Sequence, residues 1–276
     1  MARQILHTVL LLFACSGLLC LSGCFETPEP QNINDRLLVE GYLFANTTAH
    51  DIRLQYINAE SGTQRPASGL LVALTHGEET ILLEEESPGS GVYADLNEQW
   101  IIEPGEVYEL GIEDEGAVYF AETEVPYPIG EYFINSDVMS VSDSSEFFPN
   151  FLEVSWLDEN EGDEPGYYSA EIFAIEQDTT FFIDPPRPVL DSQEVYLDIY
   201  DRPVQESEVF VFPGFVEQYG IHKLLITSYN EEYVAFAEAE PGTIINLGAN
   251  APGNIINGVG IFSAFAYSEV FFIVED

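Results

Sequence analysis

The sequence predicts a mainly all-β protein with two β-sandwich-like domains, the first immunoglobulin-like, and one short helix in the second. Three observations predict this class. Short segments of alternating apolar and polar residues recur between turn clusters along most of the chain. Hydrophobic residues make up 46% and aromatic residues 13% of the chain, which favours packed cores over disorder despite the high charge. Only one segment combines helical periodicity with a capping signal.

Seven strand-like segments follow one another in the first half of the chain. They cover residues 36–44, 51–57, 69–76, 80–86, 91–96, 106–114 and 118–125. In the sixth segment Tyr108 and Leu110 share one face and Glu109 lies on the other, the period-two pattern of a half-buried strand. Turn clusters at 87–91 and 103–106 separate neighbouring segments. Seven strands in about 90 residues are typical of a sandwich of immunoglobulin size.

The strand pattern is interrupted at Pro126-Tyr127-Pro128, and we place the domain boundary there. This gives an N-terminal β-sandwich over residues 36–127 and a C-terminal β-rich domain over residues 128–276. The strand-like segments of the second domain cover residues 151–156, 166–175, 194–200, 207–212 and 221–228, and an apolar strand pair is expected between Ile261 and Val274.

One helix is predicted directly after the segment that ends at residue 228. Ser228 and Glu231 have the spacing of a capping box, and Tyr233, Phe236 and Ala237 fall on one helical face. A glycine- and asparagine-rich stretch, residues 252–260, follows further on. Its glycines are expected to turn the backbone between strands, because no helix follows them to make a phosphate loop.

The N-terminus has the layout of a lipoprotein signal peptide. Arg3 precedes an apolar run, and Leu21-Ser22-Gly23-Cys24 has the form of a lipobox, in which the cysteine receives diacylglycerol before cleavage. Residues 1–23 are therefore predicted as the signal peptide and Cys24 as the lipidation site, with the membrane as partner through that lipid. A membrane-spanning helix and an ordinary secretory signal are the alternatives, but the apolar run is at the short limit for a span.

The residues that follow Cys24 are predicted to form a tether. Residues 24–35 are polar, carry Pro28 and Pro30 and lack periodicity. The other two cysteines, Cys15 and Cys20, precede the predicted cleavage point, so no thiol of the exported part remains for a disulfide, a zinc site or a nucleophile.

The chain is strongly acidic. It carries 49 Asp and Glu against 7 Lys and Arg, with a net charge of −42, which becomes −43 when Arg3 leaves with the signal peptide. Such a charge excludes nucleic acid as a partner and repels anionic lipid headgroups. Adaptation to high salt and capture of cationic ligands are the two explanations that the sequence leaves open.

Candidate chemistry is sparse. Asp158, Asn160 and Asp163 lie in the densest group of oxygen ligands and are the candidates for calcium, although the segment fails the EF-hand spacing and a solvated hairpin loop is the alternative. His50, His76 and His222 lack zinc-motif spacing. No serine-nucleophile motif accompanies the serines. We therefore expect no catalytic residue, no resident metal and no cofactor.

Aromatic side chains in the second half are a further candidate. Their alternation allows either a ligand-binding face or a core; the residues are Tyr167, Tyr168, Phe181, Phe182, Phe210 and Phe212.

Several motifs occur in the order found in a known family. After the lipobox and tether come RLLVEGYLF, PGEVYELGIED, NEEYVAFAEA and PGNIINGVGIFSAFAYSE. In this order they resemble the Bacteroidota envelope lipoprotein family known as domain of unknown function 4249. Asn254-Ile255, Gly258, Gly260 and Phe262 fit its C-terminal pattern. The resemblance implies a two-part β fold and an outer-membrane location, in some cases beside receptor systems, and it brings no catalytic residue.

These observations lead us to expect an outer-membrane-anchored lipoprotein, not an enzyme, with a binding or accessory role at the cell envelope. An outer-membrane receptor or transporter is the candidate partner. A surface hydrolase of the glycosidase type and a purely structural envelope protein are the alternatives, and the sequence leaves the periplasmic or exterior orientation open.

The acidity gives a first test. If it reflects adaptation to salt, the thermal unfolding midpoint should rise strongly between low salt and about 1 M NaCl, where the screening length falls to about 3 Å. Differential scanning calorimetry at fixed pH measures this shift, and a midpoint that does not move with salt would refute salt adaptation.

Overall fold

Alternating apolar residues form strands along most of the described chain. The computed structural model describes residues 35–141, 151–158, 166–175, 196–198, 203–238 and 253–276. The strands are β1 (Asp35–Phe44), β2 (Ile52–Asn58), β3 (Gln64–Pro66), β4 (Leu71–His76), β5 (Glu79–Glu85), β6 (Val92–Ala94), β7 (Val107–Asp114), β8 (Ala117–Glu124), β9 (Tyr132–Ile134), β10 (Val138–Ser140), β11 (Leu152–Trp156), β12 (Tyr167–Ala174), β13 (Tyr196–Asp198), β14 (Glu208–Val211), β15 (Gly220–Tyr229) and β16 (Val259–Glu275). A single α-helix, α1 (Glu231–Ala237), occurs within these ranges, so the mainly β class with one short helix is confirmed.

The strands form two sheets. The large sheet has the order β13-β12-β15-β16-β1-β2-β6-β5-β4-β7-β8, with β10 added to β16 and β3 to β2. The small sheet has the order β14-β11-β9. Most neighbours are antiparallel, but β1 and β16 run parallel, with Leu38 opposite Val259 and Phe44 opposite Phe265.

Two main hydrophobic cores lie along the large sheet. The first is filled from β1, β2, β4, β5, β7 and the first part of β16, and its fully buried side chains include Leu43, Leu54, Leu74, Leu110 and Phe262. The second is enclosed between β12, β15 and the last part of β16 on one side and the small sheet on the other. The second core is therefore sandwiched between two layers of strands, as a β-sandwich requires.

The last strand contributes to both cores. The strand pair expected between Ile261 and Val274 is wrong: one strand runs from Val259 to Glu275 without a turn. It stays extended because β1 and β15 both pair with it, and β15 follows it through ten consecutive positions. All of this lies within one compact unit, Asn34–Asp276. The separate domains over 36–127 and 128–276 stay a prediction, and predicted segments 1–23 and 24–35 fall outside the described residues.

Residues 253–258 close the open edge of β8. The Asn254 side chain donates to the carbonyls of Glu122 at 2.9 Å and Phe262 at 2.7 Å, and accepts from the Phe262 N–H at 2.9 Å. Asn257 donates to the Val118 carbonyl at 2.9 Å. These side chains satisfy carbonyl groups along a strand edge that would otherwise be open to pairing. The stretch thus ties β8 to β16, a more specific role than the expected turn.

The helix cap lies two residues later than predicted. Asn230, not Ser228, is the N-cap residue, and its side chain accepts from the Tyr233 N–H at 3.3 Å. Ser228 is still within β15 and fully buried, which leaves it unable to cap. Asn230 also donates to the Thr123 hydroxyl at 2.5 Å and accepts from the Ser263 hydroxyl at 2.6 Å, so the cap joins α1 to β8 and β16.

Among the described residues, no helix has the length and apolar character needed to cross a membrane.

The close approach of β1 and β16 gives a test of the shared strand. Gly260 has a φ of +106°, and a Cβ there would overlap the carbonyl oxygen of Val39. We expect Gly260→Ala to lower the free energy of unfolding by about 2–4 kcal/mol. In the matched control, Gly111→Ala in β7, a Cβ meets no atom within 4 Å, and stability should stay equal or rise by up to about 1 kcal/mol. Denaturant titration measures both, and equal stability of the two variants would contradict the prediction.

Candidate functional site

The residues with predicted roles are mostly outside the described chain. Cys24, Asn160 and Asp163 all lie outside it, so lipidation and the calcium site stay predictions. Asp158 is described, at the end of the segment that follows β11.

Asp158 closes the loop between β11 and β12. One carboxylate oxygen accepts the Gly166 N–H at 2.6 Å and the other accepts the Tyr168 hydroxyl at 2.5 Å. Hydrogen bonds to a charged group stabilise a fold by about 1.5–3 kcal/mol each, so the carboxylate has a structural role in joining the end of β11 to the start of β12. In the part of the chain that the structure describes, no three His, Cys, Asp or Glu side chains are placed to hold a metal ion.

The three histidines each have their own surroundings. His50 hydrogen bonds to the Thr48 carbonyl at 2.7 Å. His76 lies 3.0 Å from a Glu106 carboxylate oxygen. His222 is buried and stacks on Phe272 with ring centroids 5.4 Å apart. These contacts are those of strand and surface residues, as the sequence spacing indicates.

The aromatic residues singled out in the sequence separate into core and surface. Tyr168 is 1% exposed and packs in the second core, edge-on to Trp156 at 5.2 Å. Tyr167 is half-buried on the outer face of β12. Phe210 and Phe212 lie on the outer side of the small sheet, and Phe181 and Phe182 fall outside the described residues.

The outer side of the small sheet carries an exposed group of phenylalanines. Phe151, directly before β11, contacts two of the others: its ring centroid is 5.6 Å from that of Phe210 and 6.0 Å from that of Phe212. Phe133 on β9 points to the same side, because it is paired with Ser155 of β11. Phe133 is 64% exposed, and Phe151 and Phe212 are more than one third exposed. We call Phe133, Phe151, Phe210 and Phe212 the phenylalanine face.

A second aromatic group lies on the outer face of the large sheet. Phe44, Phe265 and Tyr229 stand directly opposite one another on β1, β16 and β15. Tyr42 and Tyr267 are two positions away on the same face, Tyr233 reaches it from α1, and His50 reaches it from the segment after β1. We call these residues the tyrosine patch: Tyr42, Phe44, His50, Tyr229, Tyr233, Phe265 and Tyr267.

Phe265 is the floor of the tyrosine patch. It is 7% exposed, and four rings surround it at centroid distances of 4.9–5.5 Å: those of Tyr233, Tyr229, Phe44 and Tyr42. The Tyr229 and Tyr233 rings stand nearly perpendicular to it, the arrangement that the quadrupoles of aromatic rings favour. Tyr267 stacks on Phe44 at 5.5 Å and remains 44% exposed.

The hydroxyls of Tyr42, Tyr229 and Tyr267 stay protonated far above neutral pH. Burial, with the Glu40 carboxylate and Tyr233 nearby, raises the pKa of Tyr42 to about 12. Burial is the main cause that raises the pKa of Tyr267 to about 12, and the nearby Tyr229 and Glu171 contribute less. Burial also raises the pKa of Tyr229, whose hydroxyl is 2.7 Å from that of Ser169. The patch therefore presents neutral phenols in a negative electrostatic environment.

The tyrosine patch is not apparent from the sequence. Tyr42 and Phe44 alternate along β1, and Phe265 and Tyr267 alternate along β16; that alternation was the available signal. The order of the strands, with β1 beside β16, was needed to bring them together.

The chain was compared with protein families, curated proteins and solved structures, and only solved structures gave matches. No protein-family model and no curated protein matches the chain. Among solved structures, it is similar to the FN1–FN3 domains of chicken CNTN1, with 12% identity and a TM-score of 0.31 over 86% of this chain. It is also similar to domains A168–A170 of titin, with 9% identity and a TM-score of 0.23 over 87% of this chain. This chain covers 66% of each of those chains.

The raised pKa values give a test of the patch. A tyrosine ionises near pH 10 in the unfolded chain, whereas Tyr42 and Tyr267 ionise near pH 12 in the folded one. The unfolded state thus loses these protons first, so their contribution is complete below pH 10 and lost as the pH rises towards 12. We expect the free energy of unfolding to fall across this window, and to fall less steeply in the double variant Tyr42→Phe, Tyr267→Phe. Denaturant titrations at several pH values measure both slopes, and equal slopes would contradict the assignment.

Proposed function

We propose that this chain is an outer-membrane lipoprotein held by lipid on Cys24, with a non-catalytic binding or accessory role beside an outer-membrane receptor or transporter. The lipobox, the proline-containing tether and the ordered motifs similar to domain of unknown function 4249 support the location. Two lipid chains on one cysteine are enough for stable anchoring, because each buried CH₂ contributes about 0.8 kcal/mol.

The phenylalanine face is the observation that carries the binding role. Monomeric soluble proteins rarely leave several large aromatic side chains together on one exposed surface, and such patches are typical of protein–protein contacts. Aromatic residues are also the side chains that most often dominate the free energy of an interface. Phe133, at 64% exposed, is the most accessible of the four.

The charges beside this face indicate what kind of partner it suits. Glu153 stands opposite Phe210 in the pairing of β11 with β14, and Ser155 stands opposite Glu208. Carboxylates thus lie among the phenylalanines on the same side of the small sheet. A partner surface with an apolar centre and basic residues around it would complement this face, and the net charge of −42 would favour its approach.

Membrane fractionation and co-purification test the two parts of this proposal. Wild-type protein and the double variant Phe133→Ser, Phe151→Ser should both sediment with the outer membrane, whereas Cys24→Ser, which cannot be lipidated, should be lost from the outer-membrane fraction. From solubilised membranes, the wild type should co-purify an outer-membrane receptor or transporter. The double variant should recover at least tenfold less, because about 1.4 kcal/mol is enough for that change.

Leu82→Ser is the matched control, because Leu82 is 50% exposed on β5, in the other sheet. It should retain the partner. Retention of the partner by the phenylalanine variant would refute this face as the contact. Absence of any receptor partner would favour a structural envelope protein, and turnover of envelope glycans by the purified chain would favour the hydrolase alternative.

A further inference from the structure

The tyrosine patch has features that suit a small ligand rather than a protein surface. Phenol rings from two strands and one helix converge on Phe265, while the phenylalanine face contains no tyrosine and lies on the other sheet. Tyr267 exposes 44% of its surface, and the remaining tyrosines are half-buried. A ligand can therefore reach ring surfaces and hydroxyl groups together.

The electrostatic environment of the patch is negative. Glu40 on β1 lies near enough to influence the ionisation of Tyr42, and Glu171 on β12 does the same for Tyr267. The faces of aromatic rings carry negative partial charge, which adds to that of the carboxylates. An anionic ligand would be repelled, whereas a cationic group would be attracted by both.

Two cationic side chains of this protein each lie beside an aromatic ring and a carboxylate. Lys223 is on the same outer face of the large sheet, with its ammonium nitrogen 5.2 Å from the centre of the Phe173 ring and 3.0 Å from a Glu269 oxygen. Arg65 lies 4.1 Å above the Tyr56 ring and pairs with Asp35. An aromatic ring together with a carboxylate thus accommodates positive charge at these two places in the described chain.

We infer that the tyrosine patch is a binding site for organic cations, in which an alkylammonium group of a small ligand lies against Tyr267 and its neighbouring rings. The rings supply cation–π attraction, and the carboxylates of Glu40 and Glu171 supply the favourable potential. This inference is independent of the membrane anchor and of the phenylalanine face, because neither contributes a residue to the patch.

Two probes test this inference: choline and its neutral carbon isostere 3,3-dimethyl-1-butanol, called dimethylbutanol below. They have nearly the same shape, so a difference in binding reports the charge. Saturation-transfer NMR on the full-length chain should show saturable choline binding in the millimolar range. Choline should bind at least tenfold more tightly than dimethylbutanol in the same buffer.

Two variants locate the site. Tyr267→Ala should weaken choline binding at least fivefold. Phe271→Ala is the matched control, because Phe271 is 52% exposed on the same strand and face, four residues beyond Tyr267 and outside the patch; it should bind as the wild type does. The unfolding midpoint of each variant is measured alongside, and the comparison of the two probes on the wild type needs no variant to fold.

Equal affinity for choline and dimethylbutanol would overturn the inference, as would no binding of choline or unchanged binding by Tyr267→Ala. Methyl glucoside is the third probe, and preferential binding of this neutral polyol would identify a carbohydrate site instead. Since none of these measurements involves a membrane or a receptor, their failure leaves the proposed function to be judged by its own experiment.

Discussion

The pairing of β16 with both β1 and β15 is the constraint on which the rest of the structure depends. The even-numbered residues of β16 all point to the same side of the strand. Phe262, Ala264 and Ala266 fill the first core, and Val270 and Phe272 fill the second. Ser268 has the same phase between these two groups, where its hydroxyl accepts the Ile129 N–H at 3.1 Å. The chain thus passes from one half to the other beside the point at which β16 changes core. A polar residue is tolerated there because it has a hydrogen-bonding partner.

The opposite side of the same strand accounts for the tyrosine patch. Because side chains alternate, a strand that buries its even-numbered residues in two cores must present Phe265, Tyr267, Glu269 and Phe271 on the outer face. The flanking strands add Phe44 and Tyr229 at matching positions. Stability and the candidate ligand site therefore have a common origin, and the acidity of the chain determines which charge the site favours. The phenylalanine face arises separately, from three short strands that cover the second core.

Much of the fold was predictable from local pattern. All seven strand segments expected between residues 36 and 125 have counterparts in β1, β2 and β4–β8, within two residues at their ends. The short strands β3, β9 and β10 were missed because three residues are too few to show alternation. The helix cap was misplaced because Ser228 had suitable spacing but continues β15. The last strand was divided in two because an uninterrupted strand of 17 residues exceeds the usual length of 3–10.

The sequence by itself determined the β class, the acidity and which residues of each long strand share a side, because these depend on composition and a period of two. Only the tertiary structure decided the strand order. Residues 35–44 and 259–275 lie at opposite ends of the described chain, and no local pattern indicates that they pair in parallel. That pairing joins the cores and assembles Tyr42, Phe44, Phe265 and Tyr267 into one surface. Likewise, Asp158 was recognisable as an acid, but its role in closing a loop depends on Tyr168, ten residues away on the next strand.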